Sequence, residues 1–127
     1  MAIAGLGTDL VRISRFQTFI DAGNTALLER LFTAGERDYA LPKKSAAAHL
    51  AARFAAKEAF LKALGLGLRD GLAWQDMEVV RDPLGKPSLH LLGRAAEIFL
   101  ERRLTALHLS YSHEGDYATA TVILEEA

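Results

Sequence analysis

The chain has 127 residues, half of them apolar, no cysteine and a formal net charge of −1. That length and apolar share suit one domain, 1–127, with a real core. The lack of cysteine excludes disulfides, thiolate metal sites and a cysteine nucleophile, and the near-neutral charge argues against a general nucleic-acid binder.

At the N-terminus no basic region precedes an apolar run, and Asp9 arrives before a signal peptide's core could form. No stretch approaches the roughly 20 uncharged apolar residues of a membrane span, so the cytoplasm is the expected compartment. Ile3 to Thr8 reads as a strand with Asp9 at its end, a position that suits a metal or substrate ligand and equally a helix N-cap. Gly5 to Leu10 lacks the Gly-Lys-Ser/Thr ending of a phosphate-binding loop. Leu10, Ile13, Phe16, Phe19 and Ile20 recur at helical spacing and leave Arg12 and Arg15 as a small basic patch, whose bland reading is a solvated face.

Asn24 to Phe32 reads as a second amphipathic helix, and Thr33-Ala34-Gly35-Glu36 has the form of a capping box opening a short helix through Tyr39 that Pro42 ends. Ser45 stands where the long central helix needs an N-cap, and Gly65 where it needs a C-cap. Met77–Arg81 and Ser88–Leu92 read as strands around a Pro/Gly-rich turn. Gly93–Arg103 reads as a helix, and Leu107–His113 and Tyr117–Leu124 as a hairpin. The expected fold class is α+β: an antiparallel sheet packed against a long central helix.

That helix carries the chemistry. On a wheel of about 100° per residue, Leu50, Phe54, Phe60, Leu61 and Leu64 cover one arc and Ala52, Ala55, Ala56, Ala59 and Ala63 the opposite one. Such a helix should be buried nearly all round. Arg53 and Lys57 nevertheless fall inside the large apolar arc, with Glu58 and Lys62 at its edge. Burying ionised groups is costly unless they are paired or bound to a ligand, so the cluster suggests a site for an anion with a metal. The competing reading is a surface Glu58–Lys62 pair worth about 0.2–0.5 kcal/mol, with Arg53 and Lys57 lying along the surface on their alkyl stems. His113 ends a strand beside Ser112 and reads as exposed or functional; His49 and His90 read as structural or surface.

Five pieces in order resemble the holo-[acyl-carrier-protein] synthases, small members of the phosphopantetheinyl transferase superfamily. They are Gly7-Thr8-Asp9, Phe32-Thr33-x-x-Glu36-x-x-Tyr39, the long stretch Arg53 to Gly67, Gly85-Lys86-Pro87, and Ser110 to Glu114 followed by Tyr117-Ala118. The resemblance implies transfer of the phosphopantetheine arm of coenzyme A to a serine of apo acyl carrier protein, releasing 3′,5′-ADP, in fatty acid biosynthesis. It implies that Asp9 and Glu58 hold Mg²⁺ on the pyrophosphate, that Lys62 neutralises or protonates the leaving phosphate, and that Arg53 and His113 face the 3′-phosphate. Glu58, Lys62 and His113 form the implied catalytic set; Lys57, Phe54, Pro87 and Ser112 are implied further lining of the nucleotide pocket.

Phosphoryl transfer needs positioning and charge neutralisation, which fits these residue types. A metal-bound water or Glu58 would take the serine proton. Arg15 matches the family's position for docking the acidic carrier protein, whereas Arg12 stands where relatives commonly carry glutamate. The resemblance also implies a homotrimer with sites at subunit boundaries. Two other readings compete: a sensor that binds coenzyme A without turnover, and an oligomeric scaffold.

Overall fold

In the computed structural model, which describes residues 1–127, the chain runs β1 (Ala2–Arg12), α1 (Ile13–Asp21), α2 (Thr25–Leu31), α3 (Ala34–Ala40) and α4 (Ala46–Leu64). A 3₁₀ turn, Trp74–Asp76, follows, then β2 (Met77–Arg81), β3 (Pro87–Leu91), α5 (Gly93–Glu101), β4 (Leu104–Glu114) and β5 (Tyr117–Glu126). The strands form two antiparallel sheets, a three-stranded one in the order β1-β5-β4 and a β2-β3 hairpin. The α+β architecture is thus the expected one, with the first strand closing onto the last.

Helix α4 is the axis of the core: 14 of its 19 residues are buried, and Gly65 ends it in the left-handed conformation at φ 75°. Its alanine side faces the three-stranded sheet. There Gly5 and Gly7 of β1 lie on the backbone of α4, and the inward positions of β5 are Ala118, Ala120, Val122 and Leu124. Its large side meets an aromatic cluster in which Phe54 lies 5.5 Å from Phe16 and 5.1 Å from Trp74 between ring centroids.

The strand–helix approach is close enough to permit no side chain at Gly7. A Cβ there would stand 2.6 Å from the Ala63 nitrogen and inside the Ala59 carbonyl oxygen, and both neighbours are backbone. Gly7→Ala should therefore lift β1 off α4 and cost about 3 kcal/mol or more of stability, measured by urea unfolding. Wild-type stability in that variant would mean that the strand has room to shift.

Several boundaries differ from the sequence reading: α5 ends at Glu101 rather than Arg103, β4 begins at Leu104 rather than Leu107, and the largest change is at the β1–α1 junction. Strand β1 continues through Arg12, so Leu10 is strand, because β5 supplies a pairing partner for every residue from Gly5 to Arg12↔Tyr117. Helix α1 then starts at Ile13 and is capped from far along the chain. Asp116 accepts from the Ile13 backbone N–H at 2.7 Å through its carbonyl, and from the Ser14 N–H and hydroxyl through its carboxylate. The Thr33/Glu36 capping box is present as expected, whereas Ser45 occupies the N-cap of α4 without a side-chain bond. No helix is long and apolar enough to cross a membrane.

The outward face of the three-stranded sheet is uncovered. Ile3, Leu6 and Leu10 on β1 are 68, 64 and 65% exposed, and β5 places Ile123, Thr121 and Thr119 opposite Leu6, Thr8 and Leu10.

Candidate functional site

The charged groups of α4 separate into two clusters on opposite sides of the helix. Arg53 and Lys62 are nine residues apart, half a turn out of phase and about 13 Å apart along the axis.

The first cluster lies at the β1 edge. Asp9, whose backbone pairs with Ala120, receives Lys62 Nζ on Oδ1 at 2.8 Å, and the same ammonium donates to the Thr8 carbonyl at 3.2 Å. Thr119 Oγ1 donates to the Asp9 carbonyl at 3.0 Å and fixes the strand at this point. Glu58, half-buried, completes the group. Burial, then the nearby Asp9 charge, pushes its carboxyl above the usual carboxylate range, with Lys62 and Arg15 pulling the other way. The hydrogen bond to Asp9 raises the Lys62 ammonium, so Lys62 is a cation at neutral pH.

The raised Glu58 carboxyl has a consequence for stability. Between the carboxyl's unfolded value near 4.5 and its higher folded value, the folded chain binds more protons than the unfolded one, so stability falls as pH rises through that window. Glu58→Gln should remove this slope. The variant should be more stable than wild type at neutral pH, and the gap should close as pH falls below about 4. Thermal melts across pH measure it, and an equal gap at all pH values would refute the electrostatic cause.

The second cluster surrounds Tyr39 and opens on a cavity of about 550 Å³, a volume in the range of small-molecule sites. The guanidinium of Arg53 lies 4.5 Å from the Tyr39 ring centroid, the Lys43 ammonium 4.5 Å and the Arg81 guanidinium 5.8 Å. Arg81 Nη1 also donates to the Tyr39 hydroxyl at 3.0 Å. His49, edge-on to the same ring, receives Arg53 Nη1 on its backbone carbonyl at 3.2 Å. Burial first, then Arg53, Lys43, Arg81 and His113, lower its imidazole from the ordinary value. Several cations thus crowd one ring, with Arg53 Nε buried and unpaired, an arrangement whose chemistry suits an anion.

The remaining expected site residues are placed elsewhere. Lys57 does not line an opening: its side chain is fully enclosed. Its ammonium donates to Glu36 Oε1 at 2.6 Å, the Leu31 carbonyl at 2.8 Å and the Trp74 carbonyl at 3.2 Å, which uses all three of its hydrogens. Burial lowers that ammonium despite the attraction of Glu36. Phe54 likewise turns into the aromatic core, because its position on the large arc faces Phe16 and Trp74.

Ser112 and His113 stand with Leu10, Tyr117 and Thr119 around a cleft of about 330 Å³ at the hairpin end. Pro87 begins β3 beside a smaller cleft, about 140 Å³, shared with Leu107 and His108. Arg15 lies 5.7 Å from the Phe54 ring centroid, and its charge reaches Glu58. Arg12 is engaged within the chain, 3.9 Å from the Asp116 carboxylate and 5.1 Å from the Tyr117 ring centroid. Tyr39, Lys43, His49 and Arg81 were not singled out from sequence as ligands. The one local signal that could have linked them is the four-residue spacing of His49 and Arg53 on one helix, which was not drawn on.

The protein-family model described as the 4′-phosphopantetheinyl transferase superfamily matches residues 5–122. The chain is 63% identical over 123 residues to a holo-[acyl-carrier-protein] synthase of Syntrophotalea carbinolica, covering 97% of this chain and 96% of that one. It is 46% identical over 125 residues to the Yersinia pestis synthase, covering 98% and 99%. Among solved structures, the synthase of Neisseria meningitidis superposes with a TM-score of 0.87 at 34% identity, covering 98% of this chain and 99% of that one. The Bacillus anthracis synthase in complex with CoA (3′,5′-ADP) superposes with a TM-score of 0.81 at 33% identity over the whole of both chains. A match across this length, with this identity and this backbone, has one meaning: the chain belongs to the 4′-phosphopantetheinyl transferase superfamily.

Proposed function

We propose that the protein is a holo-[acyl-carrier-protein] synthase, moving phosphopantetheine from coenzyme A to a serine of an apo acyl carrier protein and releasing 3′,5′-ADP. The observation that carries this reading is the pair of charge clusters on α4, one fit for a metal-bridged pyrophosphate and one for a second phosphate. Coenzyme A presents both.

Asp9 and Glu58 suit Mg²⁺. They are two neighbouring carboxylates whose mutual repulsion a cation would relieve, and no third carboxylate or histidine joins them in a protein-only cage. Mg²⁺ is commonly held that way, with phosphate oxygens and water completing its shell. When bound, it would neutralise charge on the pyrophosphate. Lys62 holds a positive charge beside Asp9, ready for the leaving phosphate. Glu58 or a water on the metal would accept the serine proton. Arg53 and Arg81 receive the 3′-phosphate, and Arg15, beside Glu58, presents charge to the acidic carrier protein.

Because a packed helix separates the clusters, one chain offers only two halves of a site. We place the carboxylate half of one subunit against the cationic half, with His113 and Ser112, of its neighbour. The carboxylate half lies beside β1 and the cationic half on the other side of α4, so the contact joins two different surfaces head-to-tail, the type that forms a ring when its rotation closes. The bare apolar face of β1 and β5 supplies a surface to bury in it. Three subunits is the assembly the resemblance implies, in the cytoplasm where fatty acid biosynthesis proceeds.

The test is direct. Incubation with coenzyme A, Mg²⁺ and an apo carrier protein should add the phosphopantetheine mass to the carrier, and chelating the metal should stop it. Binding of coenzyme A without a mass shift would instead favour the sensor reading.

A further inference from the structure

The cavity beside Tyr39 is not uniformly cationic. Glu78, half-buried on β2, lines it together with Arg53, Arg81 and Gly35. Asp82, at the cavity's rim, is occupied, since its Oδ1 accepts the backbone N–H groups of Leu84 and Lys86 at 2.9 Å each. Glu78 is held differently. Its Oε2 accepts the Thr33 hydroxyl, and Gly35 packs against the same oxygen so closely that a Cβ there would stand at 2.9 Å. Its other oxygen takes no bond from the protein. A fixed carboxylate with a free acceptor inside an anion pocket divides that pocket. A phosphate is repelled from Glu78 and drawn to Arg53 and Arg81, while a neutral group rich in N–H donors is drawn to Glu78.

We propose that Glu78 selects the base of the nucleotide, accepting a hydrogen bond from the exocyclic amine of adenine and rejecting a purine that carries an oxo group there. The inference rests on the coenzyme A reading and names a specificity-determining residue within it. An amino purine offers two N–H donors at that position. Hypoxanthine offers an acceptor, which would face a carboxylate with no proton between them.

The experiment compares coenzyme A with its hypoxanthine analogue, identical in arm, pyrophosphate and 3′-phosphate. Wild type should show kcat/KM lower for the analogue by roughly 10- to 100-fold, the range of a hydrogen bond to a charged group, with the loss mainly in KM. In Glu78→Gln, whose carboxamide can donate, the two should come within about threefold. Glu78→Asp, which keeps the charge but withdraws the oxygens by one methylene, should also narrow the preference. A wild type indifferent to the base, or a Glu78→Gln variant that retains the full preference, would overturn the proposal. Transfer from coenzyme A without base discrimination would sink this inference alone, whereas absence of any transfer would sink the proposed activity with it.

Discussion

Lys57→Ala should cost about 3–5 kcal/mol of folding stability, the scale for breaking a buried ion pair by removing one partner. Lys57 and Glu36 are both enclosed completely, 2.6 Å apart. Once the ammonium is gone, Glu36 keeps bonds from the Thr33 N–H at 2.9 Å and the Val79 N–H at 2.8 Å but no counter-charge. The carbonyls of Leu31 and Trp74 lose a donor as well. Against a total of about 5–15 kcal/mol for a domain, that loss is large enough to cut the yield of folded protein. Urea unfolding measures it.

The companion experiment pairs Lys57→Met with Glu36→Gln. Removing both charges should recover much of the loss, because the glutamine still accepts from a backbone N–H while no naked charge remains. A single variant within about 1 kcal/mol of wild type would mean that Glu36 is not the isolated charge the geometry makes it. The pair also sets the shape of the cavity beside Tyr39. Glu36 opens α3, which carries Tyr39; Lys57 belongs to α4, which carries Arg53; and Val79 belongs to β2, which carries Glu78 and Arg81. One buried contact holds three walls of the anion cavity in register.

That contact explains where the sequence was legible and where it was not. Helix α4, its glycine end and its encirclement by apolar groups follow from local pattern, and local pattern is what periodicity reports. The capping box was readable for the same reason. Periodicity also marked Arg53 and Lys57 as anomalous, yet it could not say what they meet. Their partners, Glu36 and Tyr39, come from α3, and only the tertiary fold brings them near. Arg81 reaches the Tyr39 hydroxyl across 42 residues of sequence, which no spacing argument predicts. Asp116 is similar: it reads as a turn residue and acts as the cap of α1 from 102 positions away. The close seat of β1 on α4 was hidden because glycine in a strand has several uses, and the Ala59 and Ala63 backbone beneath it appears only in three dimensions.

A mixture of two inactive variants should regain activity. Glu58→Gln removes the carboxylate half of the site and Arg53→Gln the cationic half, and each alone should abolish or nearly abolish transfer by the mass-shift assay. In a closed ring, each site draws one half from a subunit and the other from its neighbour. It is intact when an Arg53 variant supplies the carboxylates and a Glu58 variant sits beside it. Random co-assembly of equal amounts should therefore restore about one quarter of the wild-type sites. Were both halves taken from the same chain, every site in the mixture would still be broken and none would recover. The distinction is sharp because it compares some activity with none, and it depends on which faces α4 turns outward rather than on any single distance. Mixed rings that assemble, shown by sedimentation, yet remain inactive would return the whole site to one subunit. Coenzyme A would then have to wrap around a helix whose flanks are packed against β1 on one side and the aromatic cluster on the other.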